Sequence, residues 1–382
     1  MNEDLKHVGR QFSYTVQNVG DIVKKLSKTY HDKIDIDGKT TTFNPITDMP
    51  NVSIDGLKNP NSYIGKAFNQ LTKKTIIKMK IEDNIFIQIH IYHNGEYELV
   101  KNCIKRIYCM IKIFGNEENI SKYDGMVVDI LLYNAPRLIT SEYTKTPDEM
   151  NDISNGQFFN CTCGYAMIEN DKFKICVTRK NGCLGLLTHE LGHVCELDLG
   201  HFDNGEYKFP NDRLKNWKYI VRKHFDVTDD CHVGLMTEGI NNGNSSIIHS
   251  IFLALETHDS KNVTKMFEHY YKQEFLHSIK MLCRLLKWFK YHSLRELVIH
   301  NRLKYNQKSL LLEYILVRCI YLMNFEKLGM IKMGCDQYKQ MDDNLYITTF
   351  FSSLKNSCNI IDAILRHTKN IGIIPMEYYY NK

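Results

Sequence analysis

The chain has 382 residues, 43% of them hydrophobic and 24% charged, and 49 basic against 44 acidic residues give a net charge of +5. That length accommodates two or three lobes with substantial cores, and seven prolines without a low-complexity tract exclude long disordered linkers. The charge is too mild to imply a nucleic-acid partner. The polar N-terminus MNEDLKHVGR lacks the apolar core of a secretory signal. The longest apolar run, LLLEYILVRCIYLM, carries Glu313 and Arg318 and is too short to span a membrane. The expectation is an intracellular chain with no membrane span and no nucleic-acid partner. Its twelve cysteines then read as free thiols of a reducing compartment. Cys161 and Cys163 lack a second pair at zinc-site spacing, which argues against structural zinc.

Residues 1–70 read as an N-terminal segment with a helix in GRQFSYTVQNVGDIVKKLSKTY, followed by loop up to Asn61. TIIKMKI, the turn Glu82-Asp83-Asn84 and IFIQIHIY predict a hairpin, in which Ile85, Ile87, Ile89 and Ile91 alternate with Phe86, Gln88, His90 and Tyr92. Val100, Ile104, Ile107 and Ile111 recur at helical spacing and predict a helix over 97–114, ended by Gly115-Asn116. GMVVDILLY reads as a strand. GQFFNCTCGYAMI and KFKICVT read as a hairpin about Glu169-Asn170-Asp171. From Leu184 to Leu197 the stripe Leu184, Leu187, Leu191, Val194 predicts a helix that Gly200 would end. Beyond it the chain reads as mostly helical. Asn241 to Asn244 looks like a Gly/Asn turn, with Ser245 or Ser246 capping the next helix, and apolar helices continue to about Arg366. Nine Lys/Arg against two Glu between Lys272 and Lys308 read as a solvated helix face, with contact to nucleic acid or an anionic membrane as the alternative.

The predicted helix over 184–197 carries LLTHELGHVCELDLGH, with His189, Glu190 and His193 in an H-E-x-x-H pattern. Two histidines four apart share one helix face, so both imidazoles can reach one ion. Glu190 beside them is placed to take a proton from an activated water without itself being a ligand. The apolar stripe anchors the other side of the helix. Gly192 between the histidines admits a close backbone approach.

The motif and its setting resemble those of zincin metallopeptidases. The metzincin pattern H-E-x-x-H-x-x-G-x-x-H is departed from: Glu196 stands at the glycine and Leu199 at the third histidine, with His201 two residues late. Met236 in GLMTEG would have to imitate the later Met-turn, 35 residues after His201. The gluzincin pattern takes a glutamate from a later helix, often followed by glycine, and Glu238-Gly239 in LMTEGINN supplies it 45 residues after His193. Taken alone, Glu238 would read as a surface glutamate. After an H-E-x-x-H helix it becomes the preferred third ligand, completing two histidines and one carboxylate with a fourth position open. The layout GYAMIENDKFKICV then LLTHELGH is similar to the core of bacterial collagenase-type gluzincins over about Gly164 to Asn242 and does not extend to the first 120 residues. The resemblance implies a substrate-edge strand at about 158–167 and an oxyanion-stabilising Tyr or His downstream, for which Tyr270, Tyr271 and His249 are candidates. His232, after Asp229-Asp230-Cys231, reads as loop.

The implied fold is α+β. A zincin-like upper lobe (71–201) has a mixed sheet and the motif helix, a helical lower lobe (202–290) brings the third ligand, and a helical subdomain (291–382) follows. The implied function is a zinc-dependent metalloendopeptidase acting on protein or peptide substrates, with Zn2+ on His189, His193 and Glu238 and Glu190 as general base. The alternatives are a catalytically silent zincin-fold binding or assembly protein, and a metzincin-like peptidase with His201 as third ligand.

Overall fold

A computed structural model of the chain describes residues 2–54, 56–117, 120–135, 138–139, 164–197, 201–203, 206–208, 235–257, 262–288, 291–296, 311–329, 343–367 and 374–375. The N-terminal stretch expected to hold one helix holds two, α1 (Asn2–Asn18) and α2 (Gly20–Tyr30). Within the stretch expected to be loop lies an edge strand, β1 (Ile36–Thr42). All seven of its residues are exposed, so no apolar alternation announces it. A short helix, α3 (Tyr63–Phe68), follows, its Ser62 hydroxyl accepting from the Gly65 amide.

The expected hairpin forms β2 (Lys73–Glu82) and β3 (Ile85–His93), and the four alternating isoleucines of β3 are buried in one core. Helix α4 (Tyr97–Phe114) and the single turn α5 (Ile120–Tyr123) lead to β4 (Val127–Leu131), parallel to β3. Gly115 ends α4 without a left-handed cap: its φ is −56°. A side chain there would press on the Ile111 carbonyl that the Gly115 amide bonds. The two-residue β5 (Leu138–Ile139) precedes the second hairpin, β6 (Gly164–Glu169) and β7 (Lys172–Thr178). Its turn residues Asn170 and Asp171 both have positive φ, 52° and 60°, the geometry of a tight two-residue hairpin turn.

The sheet order β1-β2-β3-β4-β7-β6 makes a mixed six-stranded sheet with β3, β4 and β7 parallel and β6 at one edge. Helix α6 (Cys183–Val194) packs beside α4 on the isoleucine face. Phe43, Val52, Ile54, Leu57 and Phe68 cover part of the other face around Tyr92, Leu131 and Tyr133. A short hairpin, β8 (His201–Asp203) with β9 (Glu206–Lys208), follows α6. Then come α7 (Leu235–Thr257), α8 (Val263–Trp288), α9 (Leu311–Met323), the turn α10 (Phe325–Leu328), α11 (Asp343–His367) and β10 (Ile374–Pro375), which pairs with β5. The N-terminal helices join this helical half, with His7 against the Met323 carbonyl and Gln11 against Glu326. The chain is therefore mixed α/β with a six-stranded mixed sheet. Among the described residues no helix is long and apolar enough to cross a membrane. The eight described cysteines are buried and free. Residues 158–163 of the expected cleft edge, Cys161, Cys163, Gly200 and His232 lie outside the described residues.

Two expectations from local residue type are corrected. Helix α6 ends at Val194 and not near Gly200. Glu196 takes the left-handed conformation at φ 52°; its amide bonds the His193 carbonyl and that of Leu197 bonds the Gly192 carbonyl. This is a Schellman ending with glutamate where glycine is usual. The Glu196 carboxylate, 2.8 Å from Asn116 Nδ2, helps hold a backbone that costs a non-glycine residue about 1–2 kcal/mol. The missing glycine therefore does not prevent the chain from turning after the motif.

The second correction concerns Asn241 to Asn244, expected as a turn but running through the middle of α7. Turn-forming residues sit there because neighbouring helices come close. A Cβ on Gly239 would lie 2.4 Å from Val317 Cβ, and one on Gly243 2.4 Å from Tyr321 Cδ1, both on α9. Tyr321 in turn donates to Asn244 Oδ1 at 2.5 Å. Tertiary contact overrides propensity here. A contrast tests this. Gly9 on α1 is exposed with open space around it, so Gly9→Ala should raise stability by up to ~1 kcal/mol. Gly243→Ala should lower it by ~1–3 kcal/mol through overpacking. Denaturant unfolding reads both, and equal stabilisation by the two would refute the close approach.

Candidate metal centre

Helix α6 brings His189 and His193 to one face, as their spacing of four requires. Their Nε2 atoms lie 3.1 Å apart, with the rings edge to face. Glu238, in the first turn of α7, reaches both: Oε2 is 3.1 Å from His189 Nε2 and Oε1 is 3.4 Å from His193 Nε2. The histidines are buried, and the Glu238 side chain retains 39% of its exposure. Among the described residues this is the cluster of histidine, cysteine or acidic side chains that could hold a metal ion.

The spacing bears on what fits. Four ligands about 2.0–2.1 Å from a tetrahedral ion sit roughly 3.3 Å from one another; here the two imidazole nitrogens are 3.1 Å apart, and the two oxygens of Glu238 lie one against each of them, at 3.1 and 3.4 Å. The donor set, two imidazole nitrogens and a carboxylate, is one that could hold a divalent metal ion. Burial favours the neutral form of Glu238, yet the two imidazoles outweigh it and hold its carboxyl well below the usual carboxylate range.

Glu190 is buried one residue after the first histidine. Burial pushes its carboxyl above the ordinary range, opposed by His189 and His193 and assisted by Glu238. Its carboxylate lies against the start of edge strand β6: a Cβ on Gly164 would be 2.8 Å from Glu190 Oε1. Gly164 thus makes room for it.

Asn241 is a site residue that sequence reasoning missed, having been read as part of a turn. It is fully buried, and its Nδ2 donates to the His189 backbone carbonyl at 2.9 Å. Its Oδ1 lies where a Cβ on Gly192 would fall, at 2.2 Å. Gly192 therefore admits the Asn241 side chain and not, as expected, another backbone. Ser245 continues the contact one turn on, its hydroxyl 3.4 Å from the Thr188 carbonyl. At the far end of α6, Tyr123 donates to the Val194 carbonyl at 2.7 Å.

His249 is buried with its Nδ1 against Arg106, eleven residues beyond Glu238 and so about 16 Å up α7. Burial and the Arg106 and Arg318 cations push its pKa well down, so it is a neutral acceptor in the interior. Tyr271 is buried between Phe12 and Phe267. His249, so far along α7, is not placed to meet an oxyanion at the His–His–Glu cluster. Tyr270 is partly exposed, its hydroxyl 3.0 Å from Thr257 at the other end of α7. The backbone of His201 lies in β8 opposite Lys208, and Met236 lies in the first turn of α7, a helix where a Met-turn would need a turn.

The contact between Gly192 and Asn241 predicts strong coupling. Gly192→Ala and Asn241→Ala should each lower stability by ~1–3 kcal/mol. The double variant should lose less than the sum by at least ~1 kcal/mol, because removing the amide removes the collision; additive losses in urea unfolding would contradict the packing. No family model, no curated protein and no solved structure matches this chain.

Proposed function

We propose that the chain is a zinc-dependent peptidase of gluzincin type, with an upper lobe built on the mixed sheet and a helical lower lobe carrying the third ligand. The observation that carries the reading is the convergence of His189 Nε2, His193 Nε2 and the Glu238 carboxylate within one ion's reach. A buried carboxylate at Glu190, one residue from a ligand, supports hydrolysis over simple metal storage. A zinc ion held there would polarise the scissile carbonyl and lower the pKa of a water towards ~7.

Glu190 accepts the proton of the attacking water and returns it to the leaving amine. Burial raises the proton affinity of its carboxyl, which suits a group that must hold a proton between the two steps. Gly164 at the start of β6 gives the carboxylate its place. Strand β6 pairs with β7 on one side and, among the described residues, stands at the sheet edge on the other, where an extended peptide would add by backbone hydrogen bonds. Asn241 holds His189 through its carbonyl and so fixes the first ligand relative to α7.

The test combines metal analysis with turnover on a peptide library. Purified protein should contain one zinc per chain, and Glu190→Gln should keep it while losing at least about a hundredfold in hydrolysis. Glu238→Ala should lose the zinc and His201→Ala keep it. Wild-type turnover in the Glu190→Gln variant would sink the mechanism, and zinc without turnover on any peptide would favour a silent binding protein.

A further inference from the structure

Behind the ligand-bearing face of α6 lies a buried cation that the proposed mechanism does not use. Arg106, in the middle of α4, is fully buried. Its Nε and Nη2 grip the two oxygens of Glu256 at 2.7 and 2.9 Å, a bidentate pair with the last turn of α7. Its Nη1 turns the other way, to the Leu184 carbonyl at 3.0 Å and Thr188 Oγ1 at 3.1 Å on α6, and to His249 Nδ1 on α7. The guanidinium carbon also lies 5.0 Å from the Phe252 ring centroid. One side chain of α4 thus holds the helix of His189 and His193 and the helix of Glu238 together. Thr188, which it grips, immediately precedes the first ligand.

We infer that Arg106 is a positioning residue for the His189–His193–Glu238 cluster, setting the mutual placement of α6 and α7. Metal sites hold their ligands within about 0.2 Å of standard distances. Glu238 sits about 16 Å along α7 from His249, so a tilt of about 4° at the Arg106 end moves its carboxylate by about 1 Å. A planar fork with fixed directions resists that tilt, whereas a lysine ammonium keeps the charge and loses the fork. For packing alone a buried ion pair is a poor choice, because its desolvation offsets much of its attraction.

The inference rests on reading the cluster as a metal site, and the test separates the two. Zinc affinity by chelator competition and the visible spectrum of the Co2+-loaded protein are compared for wild type, Arg106→Lys and Thr188→Val. Arg106→Lys should weaken zinc at least about tenfold and change the Co2+ spectrum, with Thr188→Val shifting both in the same direction by less. A folded Arg106→Lys protein with unchanged affinity and spectrum overturns the inference. If Arg106→Lys does not fold, Thr188→Val decides by the same criterion. If wild type itself binds no zinc, the metal reading has failed, and hydrogen exchange decides the positioning claim. Loss of protection confined to α6 and α7 in the variants supports it, and loss spread equally over α8, α9 and α11, or none, overturns it.

Discussion

The structure turns on one close crossing, that of α6 over α7. Two imidazoles and a carboxylate from helices more than forty residues apart meet within 3.1–3.4 Å, and nothing local brings them there. The crossing is tight because Gly192 has no side chain at the place where Asn241 lies. It is polar because Asn241, Asn244 and Ser245 reach backbone carbonyls of α6 and the residues that follow it. Buried amides cost free energy unless bonded; here their bonds fix one helix on the other, which apolar side chains of the same size would do less specifically.

The rest of the molecule holds that crossing from both sides. On one side the sheet and α4 supply a flat apolar bed for α6, with Leu187 and Leu191 in the same core as Ile87, Ile89 and Ile91. On the other, α9 approaches α7 so closely that Gly239 and Gly243 are required. The Arg318–Glu274 pair at 2.7 Å ties α9 to α8. The N-terminal helices pack into this layer, and one continuous core runs from the sheet to α11. Arg106 sits where the two halves meet.

What could be read in the sequence was what depends on neighbours in the chain. The isoleucine alternation of β3, the helical stripe of α4 and the hairpin of β6 and β7 all express local periodicity, and the structure has them. H-E-x-x-H showed both its histidines and its apolar anchor because both follow from helical spacing. The reading failed where a residue answers to a distant partner. Asn241, Gly243 and Asn244 carry turn chemistry, but they lie mid-helix to accommodate α6 and α9. Glu196 adopts a glycine conformation that a side chain 80 residues away in sequence helps hold. β1, exposed throughout, has no pattern to find. Arg106 answers to Glu256, 150 residues on, and no spacing rule connects them. Glu238 was reached through resemblance alone, since by itself it is an ordinary acidic residue.

The central claim is that His189, His193 and Glu238 are three corners of one coordination sphere. Crystals of the zinc-loaded protein, with anomalous scattering recorded at the zinc edge, test it most directly. The account predicts a single strong peak about 2.0–2.2 Å from Nε2 of His189, Nε2 of His193 and a carboxylate oxygen of Glu238, with Glu190 beside it and not bonded to it. A peak that includes His201 in place of Glu238, or no peak between these residues at saturating zinc, would contradict it.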